Sequence, residues 1–374
     1  MRIVAVEVAP VAIPFITALE SGAGRWSGMR STIVALRTDS GVVGLGEMTP
    51  ADGPGPGLPL VEVLPGLDLA DDAAVEAALG AIDRRAAVEA DAVAGRVVRS
   101  AVASAIVDAL ARAAGRSVAS WLSPASRPDV AVNGLIGRVS PDEAATQARA
   151  LVGAGLGCLK VKGGGESEDI IVTRLSSVRD AVGPGVTLRL DLNGSLEEAA
   201  AERVLRRLAP LEPEHIEQPI AADAGPARLA HLRASVGVPI AADESVTGLE
   251  AARALLEASA VDVLVVKPAR VGGLVEARRI VELAVAAGVT IVVSTLFETG
   301  VGIAAALHLA ATVPDERAHG LGTAGLLASD LLTSPLAMVD GRMVVPDGSG
   351  LGIELDEAAV DRYRVAAPAE GGPS

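Results

Sequence analysis

Aromatic side chains are nearly missing from this chain of 374 residues: Phe, Tyr and Trp together make up 1% of it, while 50% of its residues are hydrophobic. The core must therefore be built from Ala, Val, Leu and Ile. Cysteine is scarcer still, and the lone Cys158 excludes both an internal disulfide and a thiolate metal cluster. His215, His231, His308 and His319 show no two-histidine ligand spacing on a helix face, so each reads as a surface or packing residue. Basic residues are in deficit. Against 47 Asp and Glu stand 32 Lys and Arg, giving a net charge of −15 and an isoelectric point near 4.8. That balance argues against a nucleic-acid partner, which needs a basic face. Long apolar runs are lacking too. Mean hydropathy is +0.43, yet the uncharged stretch 283–297 in the C-terminal half has only 15 residues and contains Gly288 and Thr290. It is short of a bilayer span. The N-terminus alternates like a strand and reaches Glu7 before a signal-peptide core can form. A cytoplasmic protein without a membrane partner is the expectation.

What the chain does have is a series of charged residues, each closing a short apolar run. Leu159-Lys160-Val161-Lys162 is followed by Leu190-Asp191-Leu192-Asn193, Ile216-Glu217-Gln218-Pro219, Ala242-Asp243-Glu244-Ser245 and Val266-Lys267-Pro268. From Lys162 through Asp191, Glu217 and Asp243 to Lys267 the intervals are 29, 26, 26 and 24 residues. A βα unit has about that length, so strands alternate with helices. Strands are expected near 129–134, 158–162, 187–192, 214–217, 239–243, 261–267, 290–294 and 318–321, with helices between them such as 141–154 and 249–259, capped by Ser140 and Thr247. Gly157, Gly183, Gly237 and Gly288 precede strands, where a helix end commonly needs a left-handed residue. In a parallel barrel the strand C-termini meet at one mouth, which brings lysines and carboxylates around one cavity.

Ahead of this rhythm, residues 1 to about 50 read as strands joined by a long Gly-rich loop at 20–28, with a hairpin at Asp39-Ser40-Gly41. Residues 51–57 have the composition of a mobile loop, 71–121 have helical period, and 122–128 read as a linker. The tail from about Val365, rich in Ala, Pro and Gly, is expected to be disordered.

Three carboxylates converging without cations would repel strongly, and a divalent ion resolves this. Oxygen ligands with neither His nor Cys favour Mg²⁺ over Zn²⁺. A single Asp at such a place is more simply a helix N-cap or a surface ion-pair member; three on consecutive strands point to a metal. Lys160 and Lys162, two apart on a strand, share a face. A neighbouring ammonium and partial burial both lower a lysine pKa, which suits Lys162 to act as a base. A K-x-K pair alone is more often a solvated strand, so the specificity lies in the combination. Lys267 would stand across the mouth, giving one lysine to each face of a carbanion. A metal on a substrate carboxylate would stabilise the enediolate left when the α-proton departs.

These motifs, in this order and spacing, resemble the muconate-lactonizing subgroup of the enolase superfamily, and with Gly44-Leu45-Gly46-Glu47 the resemblance covers nearly the whole chain. It implies an α/β fold: a modified (β/α)₇β TIM-like barrel over 125–344, with an N-terminal α+β capping domain over 1–124 on which the segment 345–374 packs back. It also implies that Lys162 and Lys267, with Lys160 beside them, are the catalytic lysines, and that Asp191, Glu217 and Asp243 bind Mg²⁺, for which Mn²⁺ can substitute. Asn193 and Glu244 would stand behind these ligands. The partner would be a small-molecule carboxylate substrate, and the assembly a homo-oligomer.

Members of the subgroup share proton abstraction and differ afterwards. The segments Ser294-Thr295-Leu296-Phe297-Glu298 and Gly320-Leu321-Gly322-Thr323 resemble the seventh and eighth strand ends of o-succinylbenzoate synthases. Residues 320–327 contain no acid to meet a free α-ammonium, which disfavours dipeptide epimerisation. Residues 322–332 also resemble muconate cycloisomerases, and N-acylamino acid racemisation stays open. No His stands at the seventh strand end. Ser294, Thr295, Glu298, Gly322 and Thr323, with Arg25 and Trp26 of the capping loop, are the expected substrate contacts. Phe15, Trp26 and Phe297 make an aromatic wall for a cyclic substrate or simply pack. The reaction expected is dehydration of a cyclohexadiene carboxylate, and a barrel that binds metal without catalysis is the contrasting reading.

Overall fold

The computed structural model describes residues 1–21, 24–49, 61–88 and 92–366. The expected mobile loop at 51–57 and all but the first two residues of the expected disordered tail lie outside them.

The N-terminal module is an antiparallel sheet, β1 (Ile3–Ser21), β2 (Gly24–Thr38) and β3 (Val43–Met48), in that order. Gly41, at φ +81°, makes the β2–β3 turn at the expected place. The helices are α1 (Asp72–Val88), α2 (Ala92–Ala113) and α3 (Val118–Leu122). Helix α2 lies so close on β3 that a Cβ at Gly44 or Gly46 would stand 2.0 Å from the Ala105 or Ala101 carbonyl oxygen. The two glycines thus serve helix-on-sheet contact. These three helices occupy the stretch expected to be helical, 71–121, with Gly115 at φ +65° between α2 and α3. One expectation is corrected. Residues 24–28 belong to β2 rather than to a loop: Leu19 pairs with Trp26 and Pro14 with Gly28. Inter-strand hydrogen bonding claims this segment because Gly28 lacks the Cβ that would come within 2.7 Å of the Ile13 carbonyl oxygen.

The rest of the chain winds a parallel sheet. Its short preceding strand is β4 (Asp129–Ala131), and the sheet itself runs β5 (Gly134–Ile136), β6 (Cys158–Lys162), β7 (Thr187–Asp191), β8 (His215–Glu217), β9 (Ile240–Ala242), β10 (Val263–Val266) and β11 (Thr290–Val293), each paired with its sequence neighbour. Between and after these strands come α4 (Pro141–Gly153), α5 (Glu168–Val182), α6 (Glu198–Leu208), α7 (Pro226–Ser235), α8 (Leu249–Glu257), α9 (Pro268–Val271), α10 (Leu274–Ala286) and α11 (Gly300–Ala310). Alternation sorts the side chains. Leu159, Val161, Leu188, Leu190, Ile216, Ile240 and Leu264 join the core shared with the helices, whereas Ala241, Val263, Val265 and Val292 form a separate cluster on the other face, inside the barrel.

The ring closes differently from the expectation. No strand spans 318–321; two parallel bridges, Ser294 to Gly320 and Val132 to His319, fill the eighth position. The first expected strand, 129–134, is split. Val132 N–H bonds the Gly341 carbonyl at 3.0 Å while Asn133 N–H bonds that of His319 at 2.9 Å, so the chain changes partner there. Accordingly β4 pairs antiparallel with β13 (Arg342–Val344), itself paired with β12 (Met338–Val339), and only β5 enters the barrel sheet. Ser140 caps α4 as expected, accepting from Glu143 N at 3.3 Å. Thr247 does not cap α8: Gly248 takes that place, and Glu276 Oε1 accepts from Leu249 N at 3.1 Å. The left-handed glycine after α4 is Gly155, not Gly157, and Gly237 is not left-handed either.

After the barrel, Gly350 accepts from Val118 N–H at 2.8 Å, α12 (Glu357–Tyr363) follows, and Val365 N–H bonds Pro10 O at 3.0 Å. The chain's last described residues thus lie against the N-terminal module. Among the described residues no helix is long and apolar enough to cross a membrane.

Candidate active site

Register brings the charged strand ends together. Lys162 is directly opposite Asp191, and Asp191 directly opposite Glu217, on adjacent strands. One oxygen from each of Asp191, Glu217 and Asp243 lies within 4.8 Å of the others, and all three residues are buried. The chain's only three lysines surround them. Lys160 Nζ stands 2.6 Å from Glu217 Oε1 and 2.9 Å from Asp191 Oδ2; Lys162 Nζ is 2.6 Å from the same Asp191 oxygen. Lys267 Nζ donates to Asp243 Oδ2 at 2.6 Å, and Arg270 Nη1 to Asp243 Oδ1 at 2.7 Å. Lys162 also donates to Asn193 Oδ1 at 3.2 Å, and Asn193 Nδ2 to Glu244 Oε1 at 3.0 Å. The turn that allows this puts Asn193 at φ +45°, a conformation to which Asn is better suited than most residues.

The packing of like and unlike charge governs protonation. Burial would raise Asp191, but Lys160 and Lys162 outweigh it and hold this carboxyl well below its usual range. Asp243 is lowered in the same way, burial being overcome by Lys267 and Arg270. Burial and the adjacent Asp191 charge push Glu217 up to about 8. Glu244 is raised by burial and by the Asp243 and Asp191 charges. For Lys160, burial favours the neutral amine, yet Asp191, Glu217 and Asp243 together lift it above the ordinary lysine range. Carboxylates in contact thus reverse, at Lys160, the lowering that two crowded ammonium groups would cause.

The mouth opens into a cavity of about 510 Å³ lined by Lys160, Lys162, Lys267, Asn193 and Glu244 at its floor. Of the expected substrate contacts, Trp26, Ser294, Thr295, Gly322 and Thr323 line it. Thr295 Oγ1 and Thr323 Oγ1 share a hydrogen bond at 2.9 Å, which ties the seventh and eighth positions together. Glu298 is not part of the lining. It is turned away beyond Phe297, at φ +69°, and its carboxylate accepts from Leu296 N–H. The side chain of Arg25 lies outside the described residues. Phe15 and Phe297 meet edge to face at 5.5 Å and both border the cavity, the first from β1 and the second from the barrel. Sequence reasoning missed Arg270, Arg30, Asn133 and Leu135, which also line it. Arg270 carried a signal, since it follows Lys267 by three residues in the turn that opens with Pro268. Arg30 carried none, because only the folded hairpin places it at the mouth.

The donor set fits a hard divalent cation. It consists of buried carboxylate oxygens close enough to share one ion, with no His or Cys among them, already gathered around ammonium groups. Asp191, Glu217 and Asp243 could therefore hold a metal ion. A parallel barrel whose mouth gathers acids and lysines from several strand ends is the arrangement of an enzyme active site. Residues 143–359 match the family described as enolase C-terminal domain-like. The o-succinylbenzoate synthase of Thermobifida fusca (strain YX) is 38% identical over 257 residues, 67% of this chain and 78% of that one. Muconate cycloisomerase 1 of Rhodococcus opacus is 30% identical over 371 residues, 97% of this chain and 98% of that one. The crystal structure of a muconate lactonizing enzyme from Pseudomonas fluorescens complexed with muconolactone superposes with a TM-score of 0.88 at 26% identity, covering 97% and 99% of the two chains. The chain belongs to the enolase superfamily.

Proposed function

We propose that this protein is a Mg²⁺-dependent o-succinylbenzoate synthase, which removes water from a hydroxylated cyclohexadiene carboxylate to leave an aromatic ring. The observation that carries the reading is the pair Lys162 and Lys267. They come from β6 and the end of β10, four strands apart and so on opposite sides of the barrel, and both line one cavity beside the carboxylate cluster. Lys162 as the amine takes the proton α to the substrate carboxylate. The electron pair left behind delocalises into that carboxylate and then expels hydroxide from the ring, and the Lys162 ammonium returns its proton to that hydroxide, which leaves as water. Lys267, on the other face, remains an ammonium and offsets the developing negative charge. Asp191, Glu217 and Asp243 would hold Mg²⁺, or Mn²⁺ in its place, which when bound supplies positive charge to the substrate's carboxylate oxygens. Asn193, bonded to both Lys162 and Glu244, keeps the lysine aimed at the cavity.

Selectivity comes from the rest of the wall. Phe15, Phe297 and Trp26 suit a ring, while Arg30 from β2, with Arg25 as a further candidate, suits the distal carboxylate of a succinyl chain. Residues 320–327 offer no acid to a free α-ammonium, which favours this substrate over a dipeptide. Muconate cycloisomerisation is the second reading, favoured by the relative that aligns along 97% of the chain. The test is turnover of the purified protein with Mg²⁺ on the cyclohexadiene precursor, N-succinylamino acids, dipeptides and muconate. Aromatisation of the first at the highest kcat/KM supports the proposal; greater turnover of muconate or of an N-succinylamino acid reassigns the reaction.

A further inference from the structure

The lower half of the barrel interior carries polar groups that proton abstraction does not use. One inward position below Asp191 and Glu217 stand Arg189 and His215, directly opposite each other on β7 and β8. On the closing side of the ring, Asn133 and His319 are held together by the Val132–His319 bridge and by the 2.9 Å bond from Asn133 N–H to the His319 carbonyl. Arg189 spans the interval between them. Its Nε donates to Glu214 Oε2 at 2.6 Å and its Nη1 to Asn133 Oδ1 at 3.3 Å. Arg189 and His215 are 1% exposed and His319 is 0% exposed, so solvent does not serve them.

Yet several of their nitrogens have no hydrogen-bond partner among the described residues: Arg189 Nη2, His319 Nε2, both ring nitrogens of His215, whose Nδ1 lies 3.9 Å from Glu214 Oε2, and Nε and Nη1 of Arg127. Nearly all of these are donors. His319 Nδ1 accepts the Val293 N–H at 3.0 Å, which puts the ring proton on Nε2. The His215 ring adds at least one N–H, and the guanidiniums add only N–H. Buried donors without acceptors are strongly disfavoured, so an acceptor belongs here. Water would bring two O–H donors of its own into a place with at most one spare acceptor nitrogen; an anion brings acceptors alone.

Charge points the same way. Arg189 and Arg317 both pair with Glu214, with Arg317 Nη1 2.8 Å from its Oε1, and Arg317 Nε lies in addition 4.0 Å from Asp315 Oδ2. Arg127 has no carboxylate partner among the described residues. Burial pushes His319 down to about 3, and the Arg189 and Arg127 charges add to that, so both guanidiniums act on this ring. The same interior holds the small apolar side chains of Ala241, Val263, Val265 and Val292. Buried donors and small apolar side chains in one barrel interior suit a small, weakly hydrated, spherical anion better than phosphate or a carboxylate.

We propose that the lower barrel holds a buried halide, chloride under ordinary salt conditions, bound by Arg189 Nη2 and His319 Nε2–H, with His215 and Arg127 beside it. The site is separate from the reaction at the mouth and does not depend on which substrate is turned over. The test is thermal unfolding at constant ionic strength, with gluconate exchanged stepwise for chloride or bromide. The expected result is a saturable rise in Tm of about 2 °C or more. Crystals grown in bromide should show an anomalous peak in contact with Arg189 Nη2 and His319 Nε2. Arg189→Gln strands Glu214 and risks failing to fold, so Arg127→Gln and His319→Phe are the informative variants; each should raise the halide concentration for half-maximal effect several-fold. Coincident curves in gluconate and chloride, a barrel without an anomalous peak, or a halide response unchanged in both variants would each overturn the proposal.

Discussion

Lys160 and Lys162 donate to one and the same oxygen, Asp191 Oδ2, at 2.9 and 2.6 Å. Two residues apart on β6, they reach over the register partner of Lys162 from the same face, so a single carboxylate on β7 holds both ammonium groups at the mouth. The other carboxylates of the cluster are likewise bonded to cations, Glu217 to Lys160 and Asp243 to Lys267 and Arg270. Any ion bound by these acids must compete with bonds that the lysines make to the same groups.

Metal removal should therefore be visible in the lysines as well as in activity. Dialysis against EDTA is expected to abolish turnover, and Mg²⁺ or Mn²⁺ to restore it. With ¹⁵N-lysine labelling the only ammonium signals come from Lys160, Lys162 and Lys267, and all three should shift on Mg²⁺ titration. Full activity after rigorous metal removal, with unmoved lysine signals, would exclude a role for Asp191, Glu217 and Asp243 as ligands.

Replacing Lys267 by Ala separates the reactions. Dehydration should slow by roughly 100-fold or more, equivalent to about 3 kcal/mol of lost transition-state stabilisation. Any racemisation should vanish, since one face loses its proton carrier, while solvent-deuterium exchange driven by Lys162 persists. Wild-type rates on every substrate would make Lys267 a structural residue.

Glu298 should make stability depend on pH. Burial and the adjacent Glu47 charge raise its carboxyl from 4.5 to about 7. A carboxyl raised on folding favours the native state while protonated, so its contribution is fully present below about pH 4.5 and is lost as pH rises through 7. The loss amounts to about 3 kcal/mol, order of magnitude only. Glu298→Gln keeps a neutral side chain at all pH values, so the difference in Tm between variant and parent should grow in the variant's favour from pH 5 to pH 8. A constant difference across that range would refute the assignment.

Glu47 joins the module to the barrel. Its carboxylate accepts from Ser31 Oγ at 2.6 Å within the sheet, and from Thr299 Oγ1 at 2.7 Å and Gly302 N–H at 2.9 Å at the start of α11. Glu47→Ala leaves these buried donors unpaired, and a loss of roughly 3 kcal/mol or more in chemical denaturation is expected. A change below about 0.5 kcal/mol would mean that the joint is held elsewhere.

Arg30 should act on substrate choice rather than on chemistry. Arg30→Ala is expected to raise KM for a dianionic substrate about 10-fold more than for its monoanionic analogue, with kcat and Mg²⁺ affinity nearly unchanged. The same measurement on Arg25→Ala shows which of the two meets the distal charge. Equal effects on both substrates would remove Arg30 from recognition.

Local periodicity made the chemistry legible before the fold. A two-residue repeat sets which side chains share a strand face, and a βα unit has a nearly constant length, so Lys160, Lys162, Asp191, Glu217, Asp243 and Lys267 could be assigned to one mouth from spacing alone. Glu244 and Asn193 came from the resemblance to the muconate-lactonizing subgroup. The sequence could not reveal which residues meet across long separations. The long hairpin over the cavity reads as a loop in the sequence because its glycines suggest flexibility locally, while the hydrogen bonds that straighten it lie on the partner strand. The spacing predicts a strand at the eighth position, though only bridges to Val132 and Ser294 close the ring there. Arg270 against Asp243, Arg30 above the cavity and Glu298 behind it depend on turn geometry and helix placement, which long-range packing decides. The unpaired donors of Arg189 and His319 come to light only when every buried nitrogen is matched to an acceptor, and that requires the folded chain.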